Sequence, residues 1–137
     1  MAYIVDLYNK IIVSAIDTTS KGNLSSDIWR YSTLMAVSLP MTLNIMCIWL
    51  IIETHFYPGF TSFMKLEIVQ ANQYNIFFNF IVYLFLPIFI LNGFYIFWNQ
   101  RFKKLMEKYP SAQNKKISGI YFCVSWVLFF GYWIYTM

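Results

Sequence analysis

His55 is the single histidine of the chain, and it stands two residues after Glu53 in the stretch "IIETHFYPGF". An imidazole beside a carboxylate is half of a metal site or of an acid–base pair. The spacing argues against both. Positions i and i+2 of a helix point about 200° apart, so Glu53 and His55 cannot close on one ion from a continuous helix. A zinc site needs three or four ligands, and the sequence has no second histidine to supply. A Ser–His–Asp relay lacks its buried carboxylate. Glu53 and His55 therefore read as the place where an apolar helix leaves a membrane, and no catalytic residue, metal or cofactor is expected.

Cys47 and Cys123 are the remaining candidates for reactive chemistry. Both fall inside apolar runs. Counted at ~1.5 Å per residue from the nearest charged positions, their heights differ by ~10 Å, too far for a disulfide. Free, apolar thiols are expected.

The elements that carry these residues follow from where charge is missing. Residues 31–52, 68–100 and 117–137 contain no Asp, Glu, Lys, Arg or His. Each run reaches the ~20 apolar residues that a helix needs to cross the hydrocarbon layer. Composition agrees: 59% of the 137 residues are hydrophobic and only 12% are charged, about half the charged share of an ordinary soluble domain. The sequence predicts an all-α integral membrane protein, one domain over 1–137, with spans at 28–54, 75–98 and 117–136. None of the three reads as a cleavable signal, because the first lies too far in and lacks a basic leader.

Residues 3–17 are apolar but too short to span. Wound as a helix, Ile4, Val5, Tyr8, Ile11, Ile12, Ala15 and Ile16 share one face, and Asp6, Asn9, Lys10, Ser14 and Asp17 the other. This pattern predicts an amphipathic helix lying in the membrane interface, with packing against the near ends of the spans as the alternative. After the second span, Phe102, Leu105, Met106 and Tyr109 recur at helical spacing beside Lys103, Lys104 and Lys108. The span is expected to continue as a basic amphipathic extension over 99–109, stopped by Pro110. Such a helix lies on an anionic leaflet or offers a groove-binding face to a partner.

Lys and Arg set the expected orientation. Nine of the ten flank odd-numbered sides (Lys10, Lys21, Arg30, Arg101, Lys103, Lys104, Lys108, Lys115 and Lys116), against Lys65 alone on the other. The expectation is a multi-pass protein of a cytoplasmic (inner) membrane, amino terminus cytoplasmic and carboxyl terminus outside. Lys103, Lys104, Lys108, Lys115 and Lys116 then face anionic lipid headgroups. The net charge of +4 needs no nucleic acid to explain it.

With no ionisable group in the spans, an intramembrane enzyme or proton pump lacks its usual machinery. Uncharged polar residues carry the remaining information. Asn79 and Tyr83 continue a stripe from Asn72 and Asn75; Ser118, Ser125 and Tyr132 repeat every seven residues; Asn44 and Asn92 lie deeper. Polar groups avoid lipid, so these residues are expected to pack against protein, either within the chain or on a partner. Pro40 and Pro87 fall near mid-membrane and predict kinks. The function expected first is that of a non-enzymatic membrane protein acting through helix–helix contacts with another integral membrane protein or itself: an accessory subunit, regulator or immunity-type protein. A small homo-oligomeric pore of holin type is the alternative, and a transporter or enzyme with a midplane site is third.

Overall fold

The computed structural model describes residues 1–20, 27–59, 79–112 and 116–136. Among the described residues five α-helices follow one another: α1 (Ala2–Ser20), α2 (Ile28–His55), α3 (Leu86–Phe97), α4 (Arg101–Lys108) and α5 (Ile117–Thr136). Three apolar helical runs, Ile28–His55, Ile81–Lys108 and Ile117–Thr136, are long enough to cross a membrane, and α1 is not among them. This is a multi-span helical membrane protein. Within the most apolar windows of the three runs only 28%, 22% and 17% of residues are buried by the chain itself, which leaves most of their surface to lipid. The first four residues of the expected second span, 75–78, lie outside the described residues.

The prolines act differently. Pro40 is buried inside α2, and the helix continues through it. Pro87 is preceded by a wider turn, Ile81–Phe85, in which the Leu86 N–H donates to the carbonyl of Ile81, five residues back. Pro87 has no N–H to return to Tyr83, and slipping the register by one residue is a standard accommodation of that loss. At the far end, α2 stops at His55, with the N–H groups of Phe56 and Tyr57 both donating to the carbonyl of Ile52. Gly59 follows at φ +91°, a turn conformation that favours glycine. His55 is exposed and Glu53 half-buried on this last turn: they mark a helix exit.

The uninterrupted helix expected from the second span into 99–109 is not formed. Trp98 turns to ψ 128°, and Asn99 (φ 52°) and Gln100 (φ 54°) are both left-handed. Two such residues in a row redirect the chain, and α4 folds onto α1 and the start of α2. The reason is the apolar face that the sequence announced. Phe102, Leu105 and Tyr109 become buried among Ile12, Ile16 and Trp29, with the Phe102 and Trp29 rings 5.3 Å apart, edge to face. A straight helix would have carried that face away from α1. Burial of large side chains, at about 1.5–3 kcal/mol each, exceeds the ~1–2 kcal/mol per residue of a left-handed conformation.

α1 differs from expectation in its surroundings. It is longer than 3–17, and its second half is enclosed: Asn9, Ile11, Ile12, Val13, Ser14, Ala15, Ile16 and Ser20 are all buried. The side assigned to water, Asn9 and Ser14, faces protein. The packed core lies where α2 begins, α3 ends and α5 begins, with α1 at its centre.

Gln100 has no steric tolerance for its left-handed backbone, so Gln100→Gly is expected to stabilise the protein by about 1 kcal/mol. Denaturant unfolding in detergent micelles measures this; an unchanged or lowered midpoint contradicts the strained-corner account.

Candidate functional site

A carboxamide inside an apolar helix must find partners, because hydrocarbon offers none. Asn92, in the middle of α3, is 5% exposed. Its Nδ2 donates to Ser38 Oγ on α2 at 2.9 Å, and its Oδ1 accepts from the Tyr8 hydroxyl on α1. The sulfur of Met41 lies 3.9 Å from the same Nδ2. One side chain thus ties three helices together. Burial pushes the Tyr8 phenol well above its usual range, with the neighbouring Tyr95 and Tyr121 adding to the shift, so Tyr8 stays a neutral donor.

α1 makes further rungs. Tyr95 OH donates to Asn9 Oδ1 at 2.9 Å. Ser14 Oγ donates to Ser118 Oγ and accepts from the Ser118 backbone N–H, both at 3.2 Å. Thr19 and Thr33 share a hydroxyl–hydroxyl bond of 2.6 Å. These rungs reach α3, α5 and α2 in turn. At ~1.5 Å per residue from Lys116, Arg30 and Trp98, residues Ser118, Thr33 and Asn92 lie ~3, ~5 and ~9 Å along their helices. α1 crosses all three spans near their charged ends.

The outermost turns of α1 are held more lightly. The Asp6 carboxylate is lowered from its ordinary value by the Lys10 ammonium first, at 2.9 Å, and then by the Tyr109 hydroxyl. A depressed carboxylate lends stability above its unfolded pKa and loses it as pH falls through the folded one; on an exposed pair that contribution is small.

A second cluster joins α2 and α5. Asn44 Nδ2 donates to Tyr121 OH at 3.1 Å and to Ser125 Oγ at 3.0 Å, and Ser125 Oγ donates to the Tyr121 carbonyl at 2.9 Å. These residues line a lateral cleft of about 540 Å³, walled by Cys47, Ile48, Ile51, Val124, Leu128 and Tyr132. The Tyr132 hydroxyl is buried there without a hydrogen-bond partner among the described residues. Cys47 and Cys123 are free thiols, as their heights require.

Of the polar span residues singled out in the sequence, Asn92 and Ser118 are used inside the chain, and Asn44, Ser125 and Tyr132 come together around the cleft. Asn79 is half-buried, and Tyr83, in the wider turn before α3, is 38% exposed. Asn72 and Asn75 lie outside the described residues. Lys103, Lys104, Lys108 and Lys116 are exposed, and Lys115 lies outside the described residues. Sequence reasoning missed Tyr8, Asn9, Ser14 and Tyr95 as members of the network. The signal was present: residues 11–16, "IIVSAI", leave no charged strip for water over more than a full turn.

The clusters consist of amide, hydroxyl and phenol groups, which hold helices together and carry no charge at neutral pH. Among the described residues no three His, Cys, Asp or Glu side chains gather as metal ligands. The chain matches no family model, no curated protein and no solved structure.

Removing either partner of the central bond leaves the other unsatisfied. Asn92→Leu and Tyr8→Phe are each expected to destabilise by about 1–2 kcal/mol, and the double variant by clearly less than the sum. A double-mutant cycle read by unfolding in micelles checks this; strict additivity contradicts the bond.

Proposed function

We propose that this protein is a non-enzymatic membrane partner protein, an accessory subunit or regulator, that docks a helix of another integral membrane protein against its α2–α5 face. The observation that carries the reading is the lateral cleft. It opens between two spans, has an apolar rim of Ile48, Val124 and Leu128, and holds polar groups of Asn44, Tyr121, Ser125 and Tyr132 at its base. A helix bearing one hydroxyl or amide would fill the space and satisfy the Tyr132 hydroxyl. Such interhelical bonds are worth roughly 1 kcal/mol, enough to orient a contact that packing provides.

The same geometry weakens the pore reading. A lumen needs a polar face turned outward, but Asn92 and Ser118 face inward. The outward faces of α3 and α5 carry Ile90, Leu91, Phe94, Ile120, Val127 and Ile134. Amide and hydroxyl groups engaged between helices favour a role in assembly over one in catalysis. The Lys and Arg distribution supports an amino terminus and a basic end on the cytoplasmic side, in an inner membrane under this reading.

Gentle detergent extraction from the native host, followed by native mass spectrometry, tests the proposal. The expected result is a stable complex with a larger membrane protein, weakened about tenfold or more by Leu128→Trp at the cleft rim. Leu128 is exposed, so this variant should unfold at the wild-type midpoint. A homo-oligomer that conducts ions in liposomes contradicts the reading and favours the pore.

A further inference from the structure

Cations gather at one end of the molecule with few carboxylates beside them. Arg101, Lys103 and Lys104 occupy the first turn of α4, where the helix dipole favours acidic residues, and no acidic residue is present there. None of Arg101, Lys103, Lys104, Lys108 or Lys116 forms an ion pair among the described residues. Glu107 is the single carboxylate between 101 and 116. Arg101, Lys103 and Lys104 therefore concentrate positive charge at a cost to the start of α4.

Their place in the fold gives the charge a use. α3 ends at Phe97 and the exposed Trp98, an interfacial side chain. Arg101 follows three residues later, its guanidinium 4.0 Å from the centre of the Tyr95 ring, which fixes the charge at the edge of the span. Arg30 starts α2 and Lys116 precedes α5, so all three spans bring cations to this level. The apolar face of α4 is already taken: Phe102, Leu105 and Tyr109 are buried against α1 and Trp29. α4 is thus neither a helix free to sink its apolar side into lipid nor an open groove-binder. Lys103, Lys104 and Lys108 stand exposed on its other side, on a helix held in place at headgroup height.

We infer that the exposed face of α4, with Arg101, is a preformed binding surface for the headgroups of anionic phospholipids in the protein's own membrane. The occupant is chosen by height and charge. Exposed cations directly beyond three membrane spans meet phosphodiester headgroups before any other anion, and each near the surface contributes on the scale of membrane electrostatics. The inference rests on the membrane-spanning fold and is independent of any partner protein.

The purified protein is exchanged into micelles containing equal amounts of phosphatidylglycerol and phosphatidylcholine, and retained lipid is read by native mass spectrometry. Wild type is expected to keep phosphatidylglycerol at least ~10-fold over phosphatidylcholine. The K103Q/K104Q/K108Q variant should lose that preference, and K103R/K104R/K108R should keep it. Circular dichroism and the unfolding midpoint confirm that the variants are folded. Equal retention of the two lipids by wild type, or a preference that survives the glutamine variant, overturns the inference. So does displacement of phosphatidylglycerol by millimolar inorganic phosphate, which would make the surface a site for free anions.

Discussion

The structure depends on the need to satisfy Asn92. Placed in the middle of α3 among isoleucines and phenylalanines, its amide cannot be left to lipid. Ser38 takes one side and Tyr8 the other, and with them α2 and α1 are drawn to α3. The rest of α1 follows from that contact. Once Tyr8 is committed, Asn9, Ser14 and Thr19 come within reach of Tyr95, Ser118 and Thr33, and a helix not apolar enough to span becomes a crosspiece between three that are. Apolar burial supplies most of the adhesion at that end, around Ile12, Ile16, Trp29 and Ile96. The polar rungs decide which faces meet.

The packing is uneven along the membrane axis, and the proposed function rests on that asymmetry. At the end bearing α1 and α4, aromatic and aliphatic side chains close into a core, with Arg30 lying over Trp29, Phe97 and Phe102. Further along, α2 and α5 are joined through Asn44, Tyr121 and Ser125 and leave a cleft beside that junction. A closely packed end and an open flank suit the proposed role, to be held in the bilayer and to hold a partner helix.

Much of this was legible in the residues. Charge-free runs gave the three spans, because the cost of burying charge in lipid is large and has no sequence alternative. Glu53 and His55 marked the end of α2 for the same reason. The unpaired cysteines followed from height alone. What escaped was whatever depended on a neighbour. The α1 pattern could be divided into apolar and polar faces, but only the positions of Tyr95 and Ser118 show that Asn9 and Ser14 face protein. The α4 pattern announced an apolar face without saying that α1 would cover it. Helical spacing from α3 into α4 looked continuous because no Gly or Pro interrupts it; the break falls on Asn99 and Gln100, where tertiary burial overrides local preference.

The claim on which the rest stands is that α1 lies across the spans within the membrane-bound protein and is not an independent surface helix. Paired cysteines at Ser14 and Ser118, in a Cys47→Ala/Cys123→Ala background, test it in native membranes. Their hydroxyls are 3.2 Å apart, so mild oxidation should form the intramolecular disulfide nearly completely, while a control pair at Tyr3 and Ser118 should not. Absence of the Ser14–Ser118 crosslink, with both thiols readily labelled by a water-soluble maleimide, would contradict the account.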